Sequence, residues 1–179
     1  MFKNVAGNIV LAVVIALPLA LHAETDIDVL RHEAKLPKTS KPRLAELARN
    51  PSSEIRLAVA QNRRTQRDVL AELARDPVQA IRIAVATNLS SDERIYELLV
   101  ADKDVAVRSV VARFEYVPVS ALMRLAKDEN PDIRLEVARN WNADEQVLNL
   151  LINDPVGQVQ RMAEMHLQAI HNNEEWRDR

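Results

Sequence analysis

Apolar residues recur along this chain in short bursts with a helical period, and the bursts themselves recur every 26 residues. Leu70–Ile95 reads LAELARDPVQAIRIAVATNLSSDERI, and the preceding Leu44–Val69 reads LAELARNPSSEIRLAVAQNRRTQRDV. Their first seven letters differ only at the last, Asn50 against Asp76. Such self-similarity at a fixed period predicts a repeat architecture. Within a unit, Val69, Leu70, Leu73 and Ala74 form the apolar face of a first helix over Thr65–Arg75. A shorter second helix is predicted over about Ala80–Thr87. Asp76-Pro77, Asp154-Pro155 and Asn130-Pro131 break the chain between helices. Thr65 with Asp68, Ser90 with Glu93, and Asn142 with Glu145 have capping-box spacing, and Pro118 suits a first helical turn.

Five units follow without insertion: Leu44–Val69, Leu70–Ile95, Tyr96–Ala121, Leu122–Val147 and Leu148–Asn173. The expected fold is all-α: a right-handed α-solenoid of five two-helix repeats, preceded by an N-terminal capping helix at residues 24–43 and followed by a short tail at 174–179. Asp26–Leu36 supplies the cap helix, with Ile27, Leu30, Ala34 and Val29 toward one side and Pro37 as its stop. End units have a single neighbour, so they depart from the consensus.

Stacking the copies turns letters into columns. Ile55, Ile81, Val107, Ile133 and Val159 form one apolar column; Val59, Val85, Val111, Val137 and Ala163 form another. Arg56, Arg82, Arg108 and Arg134 form a basic column that ends at Gln160. Six residues before each lies Asn50, Asp76, Asp102, Asp128 or Asp154. At 100° per residue Arg82 falls inside the arc of Ile81, Val85 and Ala86, so it points into the stack. A partly buried guanidinium needs a carboxylate. The columns therefore predict a structural ladder of Asp76, Arg82, Asp102, Arg108, Asp128 and Arg134 rather than an anion site. Asn62, Asn88 and Asn140 end the second helices and suit a left-handed C-cap; Phe114 and His166 replace them in the other copies.

Composition narrows the chemistry. Two glycines and no cysteine argue against phosphate loops, disulfides, thiol catalysis and cysteine-held clusters. The 24 Lys+Arg are spread along the chain against 26 Asp+Glu, so no basic stripe for nucleic acid is predicted. Four histidines, none at catalytic or metal-pair spacing, leave no predicted active site, cofactor or metal. Met1–Ala23 reads as a signal peptide: Lys3, an apolar core over Val10–Leu17, Pro18, and a small residue at Ala23 before Glu24. Export to the periplasm or outside the cell follows, and a membrane association only if that segment is retained.

The repeated LAxxPxxxIRxAVAxN pattern, with a Thr- or Ser-led helix between copies, resembles the leucine-rich repeat variant family, a HEAT-like α-solenoid family. The resemblance covers Leu44 to about Gln168 and implies a fold more than a function. The units here are slightly longer than usual and lack the Asn-Pro turn after Asn62 and Asn140. One member of that family holds an iron–sulfur cluster on N-terminal cysteines, a role this cysteine-free chain does not share.

The function these readings support is an exported scaffold or adaptor that binds another protein or peptide. The alternative is an enzyme, a lyase or hydrolase, on a HEAT-like scaffold. Two surfaces are candidates. On the wheel, Leu57, Ile83 and Leu135 lie opposite the buried arc, an apolar ladder edged by Arg113 and Arg139 on the concave side. The turns after the second helices gather Phe114, Tyr116 and Trp141, three of the chain's six aromatics.

Overall fold

A computed structural model describes residues 26–177, with side chains to residue 172. The signal segment Met1–Ala23 lies outside the described residues. The described chain is all-helical, with no strand. Helix α1 spans 26–35. Then come α2 (Lys41–Leu47), α3 (Ser53–Gln61), α4 (Arg67–Leu73), α5 (Gln79–Ala86), α6 (Glu93–Leu99), α7 (Val105–Arg113), α8 (Val119–Leu125), α9 (Pro131–Arg139), α10 (Glu145–Asn149) and α11 (Gly157–Arg177).

All but α11 are too short to stand alone in water, so packing holds them. Helices α3, α5, α7, α9 and α11 each touch the next in that series, and α4, α6, α8 and α10 do the same. Ile55, Val59, Ile81, Val85, Val107, Val111, Ile133 and Val137 are fully buried between the two rows. Ala60, Ala86, Ala112 and Ala138 are buried too, and their small side chains let successive helices approach closely. Helix α1 buries Ala34 and half-buries Ile27 and Leu30, whereas Val29 is exposed, away from the face proposed for it. Helix α11 continues through residue 173, where the fifth unit was expected to give way to a tail.

The capping boxes do not form. Gln66, Asp92 and Asp144 occupy the N-cap positions, one or two residues beyond the residues expected there, and Pro118 is itself an N-cap, one residue before the first helical turn expected for it. The Thr65 hydroxyl instead donates to the Val59 carbonyl at 2.7 Å, Ser91 to Val85 at 2.7 Å, and Thr39 to Glu33 at 2.5 Å. Each closes off a carbonyl near the end of the preceding helix, which has no partner within that helix. Asn142 donates to the Val117 carbonyl at 2.7 Å.

Candidate functional site

Every ladder arginine joins two units. Arg82 donates through Nε and Nη2 to Asp102 at 2.6 and 3.1 Å, and through Nη1 to the Asp76 carbonyl at 2.8 Å. Asp104 also accepts from Arg82. Arg56 pairs in the same way with Asp76, Arg108 with Asp128, and Arg134 with Asp154, at 2.6–2.7 Å from Nε. The carboxylate is thus the next unit's Asp, while the unit's own Asp, or Asn50 for Arg56, supplies its main chain. Each Asp also accepts a backbone N–H two residues on, as Asp76 does from Val78 at 2.9 Å. Burial opposes ionisation of Asp76 and Asp102, but the guanidinium and backbone hydrogen bonds outweigh it and hold both carboxyls below their usual range. Arg134 does the same for Asp154. The ladder is neutral at both ends. Asn50 has Leu30 where an arginine would precede it, and Gln160 stands where a fifth arginine would need a further Asp.

A second ladder, of amides, was not legible as such. Asn62 and Asn140 do not adopt the left-handed conformation; Asn62 has φ −77° and ψ 122°, and Asn140 φ −71° and ψ 124°. The side chains of Asn62, Asn88 and Asn140 are buried and reach back one unit. Asn62 donates to the Ala34 and Leu36 carbonyls, Asn88 to Ala60 and Asn62, and Asn140 to Ala112 and Phe114, all at 2.6–3.1 Å. Phe114 cannot make this bond, and the Ala86 carbonyl left over accepts from the Tyr96 hydroxyl at 3.1 Å. Burial pushes that phenol up to about 12. His166 completes the series with Nδ1 3.0 Å from the Ala138 carbonyl, which fixes that nitrogen as the donor. The spacing of the carbonyls Ala34, Ala60, Ala86, Ala112 and Ala138 is the 26-residue period itself.

The expected apolar ladder is unevenly exposed. Leu135 is only 8% exposed, and Leu57 and Ile83 are half-buried against the core. Successive helices of the α3–α11 row pack side by side, so each covers more of its circumference than a one-sided wheel assigns. Arg113 and Arg139 are exposed as expected, Arg139 lying 3.6 Å from Glu136.

The turn edge divides. Phe114 is half-buried against the core and meets Tyr116 edge-on at 5.7 Å, so it is a packing residue rather than an anchor. Tyr116 is 63% exposed and Trp141 is 89% exposed. Trp141 stands between two depressions. On one side a groove of about 210 Å³ is lined by Ala138, Met162, Met165, His166 and Ala169, with Arg139 at its rim. On the other lie Arg113, Glu115 and Glu136. The Trp141 ring meets His166 edge-on at 6.0 Å, and the hydrogen bond to Ala138 holds that imidazole in place. The wheel places Met165, on α11, opposite the buried arc in the column of Arg113 and Arg139, whereas Met162 escaped the sequence reading because that copy departs from the consensus. Their i, i+3 spacing beside His166 is the signal that was there.

Among the described residues no group of three or more His, Asp or Glu is placed to hold a metal ion. No buried side-chain nitrogen or oxygen there lacks a hydrogen-bond partner. None of the described helices is long and apolar enough to cross a membrane. No protein-family model matches the chain, and no curated protein matches it either.

Proposed function

We propose that the chain is an exported α-solenoid of five two-helix units that binds another protein or peptide through the groove beside Trp141. The neighbour-to-neighbour packing of two helix rows and the 26-residue spacing of both polar ladders support the solenoid reading. So does the resemblance to the leucine-rich repeat variant family in the Leu44–Gln168 pattern. Export rests on the composition of Met1–Ala23, and an N-terminus at Glu24 in mass spectra of the exported protein tests it.

The observation that carries the binding reading is Trp141. A large aromatic ring left almost wholly in water, over an apolar groove with two methionines, exposes surface that folding alone would hide. Tryptophan anchors and adaptable methionines are the residues that interfaces favour. Arg139 and Arg113 beside it orient a partner's polar groups.

A photoreactive residue at Met165, in cells making the full chain, tests this. A discrete adduct is expected at Met165, lost with Trp141→Glu and absent when the photoreactive residue sits at Val105. Equal labelling from both positions contradicts the reading.

A further inference from the structure

The 26-residue period brings cations together that look dispersed in the sequence. Lys35 ends α1, Lys38 lies in the turn after it and Lys41 opens α2, while the turn after α3 carries Arg63 and Arg64. All five are exposed. Lys38 and Arg64 are one period apart, so the two turns are neighbours on one edge. Lys41, Arg63, Arg64 and Arg67 line a single open depression there. No carboxylate among the described residues lies within 4.0 Å of any of the five, although Asp68 and Asp92 line the same depression. Glu33 and Glu46 pair with Arg43, Asp92 lies 3.9 Å from Arg67, and Asp68 lies 4.0 Å from Arg94. Six cations, Arg67 among them, stand against the two carboxylates of this depression, and on a chain of net charge −2 that is a segregated charge.

The same edge continues into exposed apolar tips. Leu89, 49% exposed, lines the same depression, and Tyr116 projects from the following turn. Cations flanked by an aliphatic tip and a tyrosine match the interfacial zone of an anionic bilayer. There lysine and arginine meet headgroup phosphates, and apolar tips enter the acyl boundary. A soluble acidic partner would satisfy the cations but would leave the row of apolar tips without a role.

We propose that this basic edge, Lys35, Lys38, Lys41, Arg63 and Arg64 with Leu89 and Tyr116, seats the protein peripherally on an anionic membrane surface. Trp141 stands in the next turn along the same edge, joined to the turn of Tyr116 by the Asn142–Val117 hydrogen bond, and its groove opens beyond that turn toward Met162 and Met165. The proposal stands whether or not that groove binds a protein.

The chain has no cysteine, so a single Leu89→Cys substitution carries an environment-sensitive dye uniquely. Val105→Cys, at the opposite end of α7 from the turn bearing Tyr116, is the control. With vesicles of phosphatidylglycerol and phosphatidylcholine in equal parts, the dye at 89 brightens and the dye at 105 does not. Phosphatidylcholine alone leaves both unchanged. Reversing Lys38, Arg63 and Arg64 to Glu weakens partition at least about tenfold. In the unreversed protein, raising salt about tenfold releases the edge. Equal brightening at both positions, a response indifferent to lipid charge, partition unaffected by charge reversal or by salt, or equal brightening with soluble polyglutamate would each overturn the proposal. The first would place the anchorage elsewhere in the chain.

Discussion

Arg82 holds Asp102 of the following unit with two side-chain hydrogen bonds at 2.6 and 3.1 Å while donating to the Asp76 carbonyl of its own. One guanidinium thus fixes the distance between two units and the shape of a turn. Both side chains are nearly buried, 5% and 6% exposed. Removing one partner strands the other, so Asp128→Ala, which leaves Arg108 with Glu129 at 3.7 Å as its one carboxylate, is expected to cost about 2–4 kcal/mol. Asp102→Ala costs less, because Asp104 still accepts from Arg82. Urea denaturation of the two variants measures the difference.

Acid should loosen the ladder. Asp76, Asp102 and Asp154 have folded-state pKa values below those of the unfolded chain. The unfolded state therefore binds more protons in that range, and the stability the pairs contribute is present above the unfolded Asp value of about 3.9. It is lost as pH falls below that value toward the folded ones. Melting temperature should be insensitive to these groups between about pH 5 and 8 and should fall below about pH 4. A charge-neutral Asp154→Asn variant should show a shallower fall.

Tyr96 and Phe114 should couple. Tyr96→Phe removes the donor to the Ala86 carbonyl and is expected to cost about 1 kcal/mol. In a Phe114→Asn background, where an asparagine again reaches that carbonyl, the same change should cost little. A double-mutant cycle by chemical denaturation checks this. Asn140→Ala, which frees two carbonyls with no substitute donor, should cost about 2 kcal/mol.

Leu135 should behave as core. Leu135→Ala is expected to destabilise by about 2–4 kcal/mol, and Leu57→Ala, half-buried, by less. Thermal melts of the two variants decide the order. Groove binding at Trp141 should survive Leu57→Ala.

The apolar columns and the Arg–Asp spacing were readable from the sequence because each repeats five or four times and depends only on helical period. The direction of each pair, to the next unit's carboxylate, was not, because a column gives composition and not which neighbour a side chain crosses to. The asparagines looked like caps for the same reason: an inter-unit bond leaves no local trace. Leu135 misled a wheel that assumes one buried face. Met162 sat where the consensus had decayed, and the Lys35–Arg64 edge became visible only once turns a period apart were placed side by side.

The central claim is that the 26-residue unit is a stacking block. Excising residues 70–95 joins Val69 to Tyr96 in register and offers Asp102 to Arg56 and the Tyr96 hydroxyl to the Ala60 carbonyl. Circular dichroism with thermal melting should find this shortened chain helical and cooperatively folded, while an excision two residues shorter should lose the cooperative transition. Equal behaviour of the two deletions would contradict the account.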